Sequence, residues 1–182
     1  MIKFLNRLFR QRERDDPVVR CHQMVMAQAR RPEFYLHLDV PDTLDGRFEL
    51  LALHAFMVMR RLKLSDRAAQ RFSRLLFEHM VTDFDRSLRE MGVGDMGVPA
   101  RVKRMVQGIN GRLRAYDCGV NADDGEALLI ALDNNLYGTV MDPDPRVLTL
   151  MADYTRKSVT NLDAQPLRQV LEGFVYFIEP LY

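Results

Sequence analysis

Apolar residues recur every three or four positions along most of the chain, and this spacing predicts amphipathic helices. Between Ser65 and Met91 they form one stripe on a helix of about seven turns. Ser65 or Asp66 would cap the start of this helix, and Gly92 suits its end. The stripe consists of Ala68, Phe72, Leu75, Leu76, Met80, Phe84, Leu88 and Met91.

The preceding helix is predicted from about Thr43 to Lys63. Its apolar side chains nearly encircle it, which is typical of a helix inside a bundle rather than one on its surface. These side chains are Phe48, Leu51, Leu53, Ala55, Phe56, Val58, Met59 and Leu62.

Proline, aspartate and glycine residues mark the remaining helix ends. The connections are short, and no strand alternation is convincing. The prediction is therefore an all-α, single-domain antiparallel bundle of about six to eight helices over residues 16–182. The other helices are predicted from Asp16-Pro17 to before Pro32, from Pro99 through Tyr116 with a stop at Gly119, from Asp123 or Asp124 through Leu136, from Asp144-Pro145 to about Thr160, and from Asp163 through Ile178.

Composition supports one folded unit. The chain has 182 residues, 47% of them apolar, which is enough to bury one substantial core and excludes a disordered tail protein. Cys21 and Cys118 lie far apart, and no secretory leader is recognisable, so we expect a reducing compartment. Even the most apolar stretch, Leu50–Met59, is too short to span a bilayer.

The net charge is only +1, but the charges are unevenly placed. Residues 1–31 carry eight basic and three acidic residues, whereas residues 117–182 carry four basic and eleven acidic ones. Such an electrically polar molecule can be oriented at an anionic surface. Residues 1–15 form a basic amphipathic segment, which we expect either to lie on an anionic membrane or to pack on the bundle as a first helix.

The predicted helix that starts at Pro99 contains no acidic residue and would meet phosphate, either of lipid or of ribosomal RNA. Motifs that read bases are lacking, so specific nucleic-acid recognition is not expected. The expected membrane or ribosome contacts are Phe4, Leu5, Arg7, Leu8, Phe9, Arg10, Arg101, Lys103 and Arg104.

Two motifs could indicate small-ligand chemistry. The glycines of Gly92–Gly97 match a dinucleotide-binding pattern but follow a helix instead of a strand, so a tight loop is favoured. His79 and Asp83, with Asp85 and His54, suggest a metal site, yet thiolates and closely spaced paired histidines are absent, which favours a solvated His-Asp pair. No catalytic constellation is legible, so we expect a non-enzyme without a cofactor.

A dense charged cluster, Asp83 to Glu90, surrounds Phe84. Asp85 with Arg89, and Arg86 with Glu90, have the spacing of helix-surface ion pairs. The same cluster also suits a partner contact. Eleven methionines would serve either an adaptable binding surface or ordinary core filling.

Two stretches resemble the ubiquinol-cytochrome c chaperone family: PDTLDGRFELLALHAFMVMRRL (Pro41–Leu62) and LLFEHMVTDFDRSLREMGVGDMGVPARVKRM (Leu75–Met105). Gly111-Arg112 fits the same pattern, so the family-like core covers residues 41–114. The order of these motifs is specific. Where an aromatic pair is expected ahead of Gly-Arg, this chain has Ile109-Asn110, which leaves the function of the turn at 108–112 open.

The resemblance implies a helical assembly chaperone. It would bind newly made cytochrome b of the bc1 complex, near the ribosome and the inner membrane, on the cytoplasmic side in a bacterium or the matrix side in a mitochondrion. The lack of a long leader favours a bacterial relative. The alternatives are a membrane- or ribosome-tethering module that recruits other assembly factors, and an enzyme or haem-transfer factor that uses His54 or His79.

The resemblance also nominates site residues. Gly92 and Gly94 belong to the family-like signature. The expected client or partner contacts are Phe48, His54, Arg60, Arg61, Asp83, Asp85, Arg86, Arg89, Glu90, Asp95 and Met96.

Overall fold

The computed structural model describes residues 16–90 and 98–182, apart from the side chains of Leu88 and of residues 98–106. All regular structure in these ranges is helical, which confirms the all-α prediction. None of the described helices has both the length and the apolar character of a membrane span. The helices are α1 (Pro17–Ala29), α2 (Pro32–Leu36), α3 (Leu44–Lys63), α4 (Arg67–Glu90), α5 (Val98–Asn121), α6 (Glu126–Asn135), α7 (Pro145–Ala164) and α8 (Leu167–Leu171).

Helix α3 lies at the centre of the bundle. Every residue from Phe48 to Val58 is buried, as the nearly encircling apolar pattern predicts. Helices α1, α4, α5 and α7 all pack against α3, and α6 joins α5 to α7. The hydroxyl of Thr43 caps α3 by accepting a hydrogen bond from the Gly46 amide at 3.1 Å.

Aspartates cap the predicted helix starts. Asp16 accepts from the amide of Val18 and Asp144 from that of Arg146, each at 2.8 Å. At the start of α4, Asp66 is the capping residue, because its carboxylate accepts from the Ala69 amide at 2.9 Å. These short-range bonds satisfy backbone donors that a helix start leaves without partners, so the local sequence predicts these three starts well.

The predicted stop of α5 at Gly119 is wrong, because the helix continues to Asn121. Gly119 is buried, and a Cβ atom there would lie 2.6 Å from the Cα of Leu128 on α6. This glycine therefore permits close packing of α5 against α6 and does not end the helix. A glycine in a helical pattern can either end the helix or permit close packing, and only the neighbouring helix shows which of the two it does.

The predicted helix from Asp163 to Ile178 is also wrong. Helix α7 runs on to Ala164, the single turn α8 follows, and the chain from Phe174 to the C-terminus has no regular structure. Pro166 interrupts the helix because it has no amide hydrogen and forces the preceding residue, Gln165, into an extended conformation. Tertiary hydrogen bonds hold this C-terminal segment in place, since the Tyr176 carbonyl accepts from the side-chain amides of Asn161 and Gln165.

The short helix α2 was not predicted, since Pro32 was expected only to follow a helix end. Pro32 occupies the first position of this new turn, where the missing amide hydrogen costs nothing. Phe34 on α2 is fully buried and packs edge-on against His54 and Tyr154. The turn therefore inserts one aromatic ring into the main core.

Apolar packing falls into two parts. One large core occupies the centre of the bundle, and a small second cluster lies near the start of α3. The second cluster, here named the Phe48 cluster, consists of Phe48, Ala52 and Ile109 with partly buried Phe77 and Phe84.

Two of the three glycines of α5, Gly111 and Gly119, make the packing argument testable. We expect Gly119→Ala to destabilise the protein by about 1–3 kcal/mol, because its Cβ has no room beside Leu128. Gly111→Ala is the matched control, since nothing lies within 4 Å of the position that its methyl group would occupy. It should stabilise the same helix by up to about 1 kcal/mol. Urea denaturation measures both, and similar changes for the two variants would refute the interpretation.

Candidate functional site

The Phe48 cluster joins the two family-like stretches to the helix that carries Gly111-Arg112. Phe48 of α3 meets Phe84 of α4 edge-on, with ring centroids 5.0 Å apart. Ile109 of α5 completes the cluster, and the guanidinium of Arg112 lies 5.5 Å from the centroid of the Phe48 ring. Segments distant in sequence thus converge at the N-terminal end of α3.

The charged end of α4 is anchored to this cluster through Phe84. Asp83 pairs with Arg86, and Asp85 accepts from Arg89 at 2.7 Å. The hydrogen bond from Arg89 lowers the pKa of Asp85 below its usual value. Asp85 and Arg89 form an exposed pair of the kind that contributes little to stability. These charged side chains, together with exposed Glu90, can therefore form ion pairs with a partner at little cost in folding stability.

A half-buried ion pair lies directly beside the cluster. Arg112 donates from Nε to Glu49 Oε2 at 2.6 Å and from Nη2 to the other carboxylate oxygen. The Glu49 side chain is only 10% exposed and that of Arg112 24%. Burial raises the pKa of Glu49, and the hydrogen bond from Arg112 opposes that rise only in part. The Tyr116 hydroxyl, one turn beyond Arg112, is buried without a hydrogen-bond partner among the described residues.

The Glu49–Arg112 pair lines a cavity of about 540 Å³, here named the Glu49 cavity. It lies between the first half of α3, the middle of α5 and the C-terminal end of α6 with its following turn. This volume falls within the range of about 300–1,000 Å³ that is usual for ligand pockets. Its other lining residues are Asp45, Gly46, Phe48, Asn134, Asn135, Leu136, Gly138 and Thr139.

The departure at Ile109-Asn110 has a structural explanation. Residues 108–112 are not a turn but part of α5. Ile109 is buried against Phe48, so it fills the Phe48 cluster with an aliphatic side chain. Asn110 instead lines a smaller cavity of about 270 Å³ on the other side, with Phe56, Met59 and Leu113 among its neighbours.

His54 builds the core. It is completely buried, and its Nδ1 and Nε2 lie 2.7 Å from the Leu50 carbonyl and the Tyr154 hydroxyl respectively. Burial lowers its pKa to about 4, so the ring is neutral near pH 7. With Nδ1 donating to the carbonyl, Nε2 accepts from Tyr154. Both nitrogens are occupied, and neither is available to haem iron or substrate.

The four candidate metal ligands are not brought together. His54 contacts Phe34, Tyr154 and Phe177, whereas His79 packs edge-on against His22, with ring centroids 5.0 Å apart. His22, a residue of α1, is buried where α1 packs against α4. This burial lowers the pKa of His22 to about 4. In the described ranges, no three or more His, Cys, Asp or Glu side chains are grouped to hold a metal ion.

Arg60 and Arg61 connect the C-terminal end of α3 to neighbouring helices. Arg60 donates to Asp163 at 3.0 Å and to Asn121 at 3.1 Å, while Arg61 donates to the carbonyls of Leu162 and Gln165. They thereby join α3 to the ends of α5 and α7. At a rise of 1.5 Å per residue, Arg60 lies about 18 Å along the helix from Phe48, so these arginines are not part of the Phe48 cluster.

Of the predicted contacts, the structure places Phe48 beside the charged end of α4 and His54, Arg60 and Arg61 elsewhere. Sequence reasoning missed the pairing of Glu49 with Arg112. A signal was present, because Glu49 is the only acidic residue in the buried run from Phe48 to Val58. A buried carboxylate requires a partner.

Several expected contacts fall outside what the structure describes. They are Phe4, Leu5, Arg7, Leu8, Phe9, Arg10, Asp95 and Met96, together with the glycines Gly92 and Gly94. Arg101, Lys103 and Arg104 lie on α5, as predicted for that helix, but their side chains are not described.

A basic surface that was not singled out from the sequence lies on the first half of α4. Arg67, Arg71 and Arg74 recur at helical spacing on its exposed face, and within the described residues they form no hydrogen bond or ion pair. Exposed Leu64 (66%) and Leu75 (41%) lie next to them in sequence. These three arginines are named the α4 arginine stripe.

The site described above is a cavity beside a charged helix end in an all-helical bundle, an arrangement that can bind a partner. The model of the ubiquinol-cytochrome C chaperone family matches residues 36–177, and the chain belongs to this family. The match extends well beyond the stretches that carry the sequence resemblance, and the family is one of chaperones rather than enzymes.

Relatives and a solved structure agree with this assignment. The chain is 32% identical to ubiquinol-cytochrome-c reductase complex assembly factor 1 of Xenopus laevis and 30% identical to that of Mus musculus, over 72% of its own length in each case. It spans 64% of the frog protein and 44% of the mouse protein. The crystal structure of the Cbp3 homolog from Brucella abortus matches with a TM-score of 0.80 and 30% identity, over 96% of this chain and 97% of that one.

Removing Arg112 tests the ion pair. We expect Arg112→Met to destabilise the protein by roughly 2–4 kcal/mol near pH 7.5, because Glu49 is left buried without its cation. The deficit should shrink near pH 5. A raised pKa in the folded state means that the folded protein binds a proton more readily than the unfolded chain, so stability increases as the pH falls.

Urea denaturation at both pH values measures this effect. The double variant Glu49→Gln with Arg112→Met is the control, because it lacks the titrating carboxyl and its deficit should not depend on pH. An equal deficit at pH 7.5 and pH 5 for Arg112→Met alone would contradict the assignment.

Proposed function

We propose that this protein is an assembly chaperone of the ubiquinol-cytochrome c reductase complex and that its client is newly made cytochrome b. Family membership and the names of the relatives support the assembly role. The observation that carries the proposal further is the convergence of the two family-like stretches and Arg112 on the Phe48 cluster. A shared surface for a partner explains why residues so distant in sequence belong to one pattern.

The chemistry of this region suits a polypeptide client. The α4 end offers charges of both signs, the Glu49 cavity offers depth, and Met141, two residues beyond the cavity-lining Thr139, is 94% exposed. Methionine adapts its shape to irregular apolar partners. An apolar contact surrounded by polar groups is the usual composition of a protein interface, and it fits a membrane subunit that awaits its partners.

Site-specific photocrosslinking tests both the client and the surface. A crosslinking amino acid at position 86, on the α4 end, should capture cytochrome b in membranes of a bacterium that makes a bc1 complex. The same amino acid at position 157, on the exposed side of α7, is the control and should not capture it. Deletion of the gene should also lower the assembled bc1 complex. Unchanged cytochrome b in the deletion strain would rule out the proposed function, and equal capture from both positions would rule out the surface.

The α4 arginine stripe favours a second role, the tethering of the protein to an anionic membrane surface. We place this surface on the cytoplasmic face of a bacterial inner membrane, or on the matrix side in a mitochondrion. Arginine side chains without ion pairs bind lipid phosphates, and neighbouring leucines can enter the boundary with the acyl chains. RNA of a ribosome offers the same phosphates, but exposed leucines gain nothing there. The stripe therefore suits lipid better than RNA.

Vesicle co-sedimentation tests the tether. Replacing Arg67, Arg71 and Arg74 by glutamine should weaken binding to phosphatidylserine-containing vesicles about hundredfold, since each arginine near such a surface contributes about 1 kcal/mol. A control variant removes the same charge elsewhere, with glutamine at Arg146, Lys157 and Arg168. If the two triple variants bind equally, net charge rather than the stripe determines binding. If both bind as tightly as the unmodified chain, the tether lies elsewhere.

A further inference from the structure

The cavity of about 270 Å³ that Asn110 lines lies between α3, α4 and α5, and it belongs to neither of the surfaces proposed above. It is here named the Asn110 cavity. Its lining residues on α3, and likewise those on α5, fall at positions i, i+3, i+4 and i+7, so each helix contributes one face. The volume is slightly below the range of about 300–1,000 Å³ that is usual for ligand pockets, so it suits a small molecule or one end of a larger one.

The cavity is apolar in one part and charged in another. On each of α3 and α5 an apolar lining residue comes one turn before a charged one, since Met59 precedes Lys63 and Leu113 precedes Asp117. The Lys63 Nζ lies 3.6 Å from the Asp117 carboxylate, so the charged parts of the two helices meet. Met59 and Leu113 are only half-buried, so part of their apolar surface is available to a ligand. Such a lining suits an amphiphilic ligand.

One positive charge at the Asn110 cavity has no counter-charge. Asp117 is the only acidic residue in the described lining, and it lies 3.4 Å from Arg60 Nε and 3.6 Å from Lys63 Nζ. Arg60 is paired with Asp163 as well. Arg114 is exposed and forms no hydrogen bond or ion pair with any described residue. The described lining therefore offers a free guanidinium to an anion, whereas its carboxylate is already shared by two cations.

Neutral hydrogen-bond donors at this cavity are also unused. The Ser73 hydroxyl and the Asn110 side-chain amide bond to no other described residue, and both groups can donate to an anionic oxygen. The Nε of Arg60 is buried and lacks a hydrogen-bond acceptor within the described part of the chain, which adds to the positive potential here. A carboxylate or a phosphate would accept from the free donors, whereas a purely apolar ligand would desolvate them without replacing their bonds to water.

The position of the cavity favours lipid as the source of the anion. Arg74 of the α4 arginine stripe directly follows Ser73, so the stripe begins about 100° around the helix from the cavity. Leu64 directly follows Lys63 and is exposed. Basic and apolar side chains together are typical of a surface that lies on anionic lipid.

We propose that the Asn110 cavity binds an anionic amphiphile, a carboxylate or phosphate head on an alkyl chain, as a fatty acid or a phospholipid presents it. Arg114 pairs with the head, Asn110 and Ser73 donate hydrogen bonds to it, and Met59 and Leu113 contact the chain. Only the choice of lipid as the source rests on the membrane tether proposed above. A test with soluble probes on the isolated protein keeps the failure of this site distinguishable from the failure of the tether or of the client.

Nuclear magnetic resonance of the full isotope-labelled chain provides this test, with sodium octanoate as the probe below the concentration at which it forms micelles. We expect saturable shifts of the Arg114 Nε–H and of the Asn110 side-chain amide. Octanamide has the same chain without the charge, and it should bind about tenfold more weakly. Hexanoate should also bind about tenfold more weakly, because two buried methylene groups are lost. Acetate and inorganic phosphate, which lack the chain, should leave the signals nearly unchanged.

Octyl phosphate distinguishes the two sources of the ligand. Tighter binding of octyl phosphate than of octanoate assigns the head to a phospholipid, and the reverse order assigns it to a fatty acid. Either order supports the site, provided that both probes shift the same signals.

A variant then assigns the binding to Arg114. Arg114→Gln should weaken octanoate binding about tenfold, as expected when one charge-assisted hydrogen bond is lost, and should leave octanamide binding unchanged. Folding is not at risk, because the side chain is exposed and has no partner among the described residues. Arg146→Gln, at the exposed start of α7, removes the same charge and is the matched control that should have no effect.

Four outcomes would overturn the proposal. They are equal affinity for octanamide and octanoate, shifts confined to other parts of the protein, equal octanoate affinity in the Arg114 and Arg146 variants, and tighter binding of N-acetyl-L-leucine than of octanoate. The last compound resembles the C-terminus of a polypeptide, so its preference would make a polypeptide the occupant. None of these outcomes bears on whether cytochrome b is the client or on whether the α4 arginine stripe binds vesicles.

Discussion

The burial of α3 on all sides is the constraint on which the rest of the structure depends. Because every residue from Phe48 to Val58 is out of solvent, each polar side chain in that stretch needs a partner from another helix. Glu49 obtains Arg112 from α5, and His54 obtains Tyr154 from α7. These two polar contacts relate α5 and α7 to α3 more specifically than apolar packing alone, because a hydrogen bond has direction and apolar contact does not.

The two ends of α3 serve different purposes as a result. At the C-terminal end, Arg60 and Arg61 close the bundle by bonding to side chains and carbonyls of α5 and α7. At the N-terminal end, Phe48 and Glu49 border a cavity that the protein itself does not fill. The residues that share the family-like pattern thus divide into a group that holds the fold together and a group that surrounds a recess. The second group is the one that we propose meets a partner.

The surfaces proposed for binding lie toward opposite ends of the bundle. Phe84 packs on Phe48, so the end of α4 lies near the Glu49 cavity. Arg67 to Arg74 precede Phe84 by 10 to 17 residues, which is about 15–25 Å along the helix. At this separation, the α4 arginine stripe and the charged end of α4 could contact an anionic membrane and a polypeptide partner at the same time, as proposed above.

The sequence by itself determined the helices whose signals are local. The three-to-four spacing identified α3 and α4, and Asp16, Asp66 and Asp144 marked helix starts, because capping bonds span only two or three residues. The resemblance correctly identified the family and brought Phe48 and the α4 end to attention. It did not separate residues that build the core, such as His54, from residues that border the site.

Only the tertiary structure decided the rest, because the deciding partners are remote in the chain. Gly119 lies inside a helix and permits the close approach of Leu128, and the C-terminal tail is held because the side chains of Asn161 and Gln165 donate to the Tyr176 carbonyl. The ion pair that lines the cavity joins residues 63 positions apart, and the bond that occupies Nε2 of His54 spans 100. No periodicity or spacing along the sequence records such contacts, which exist only after the helices have packed.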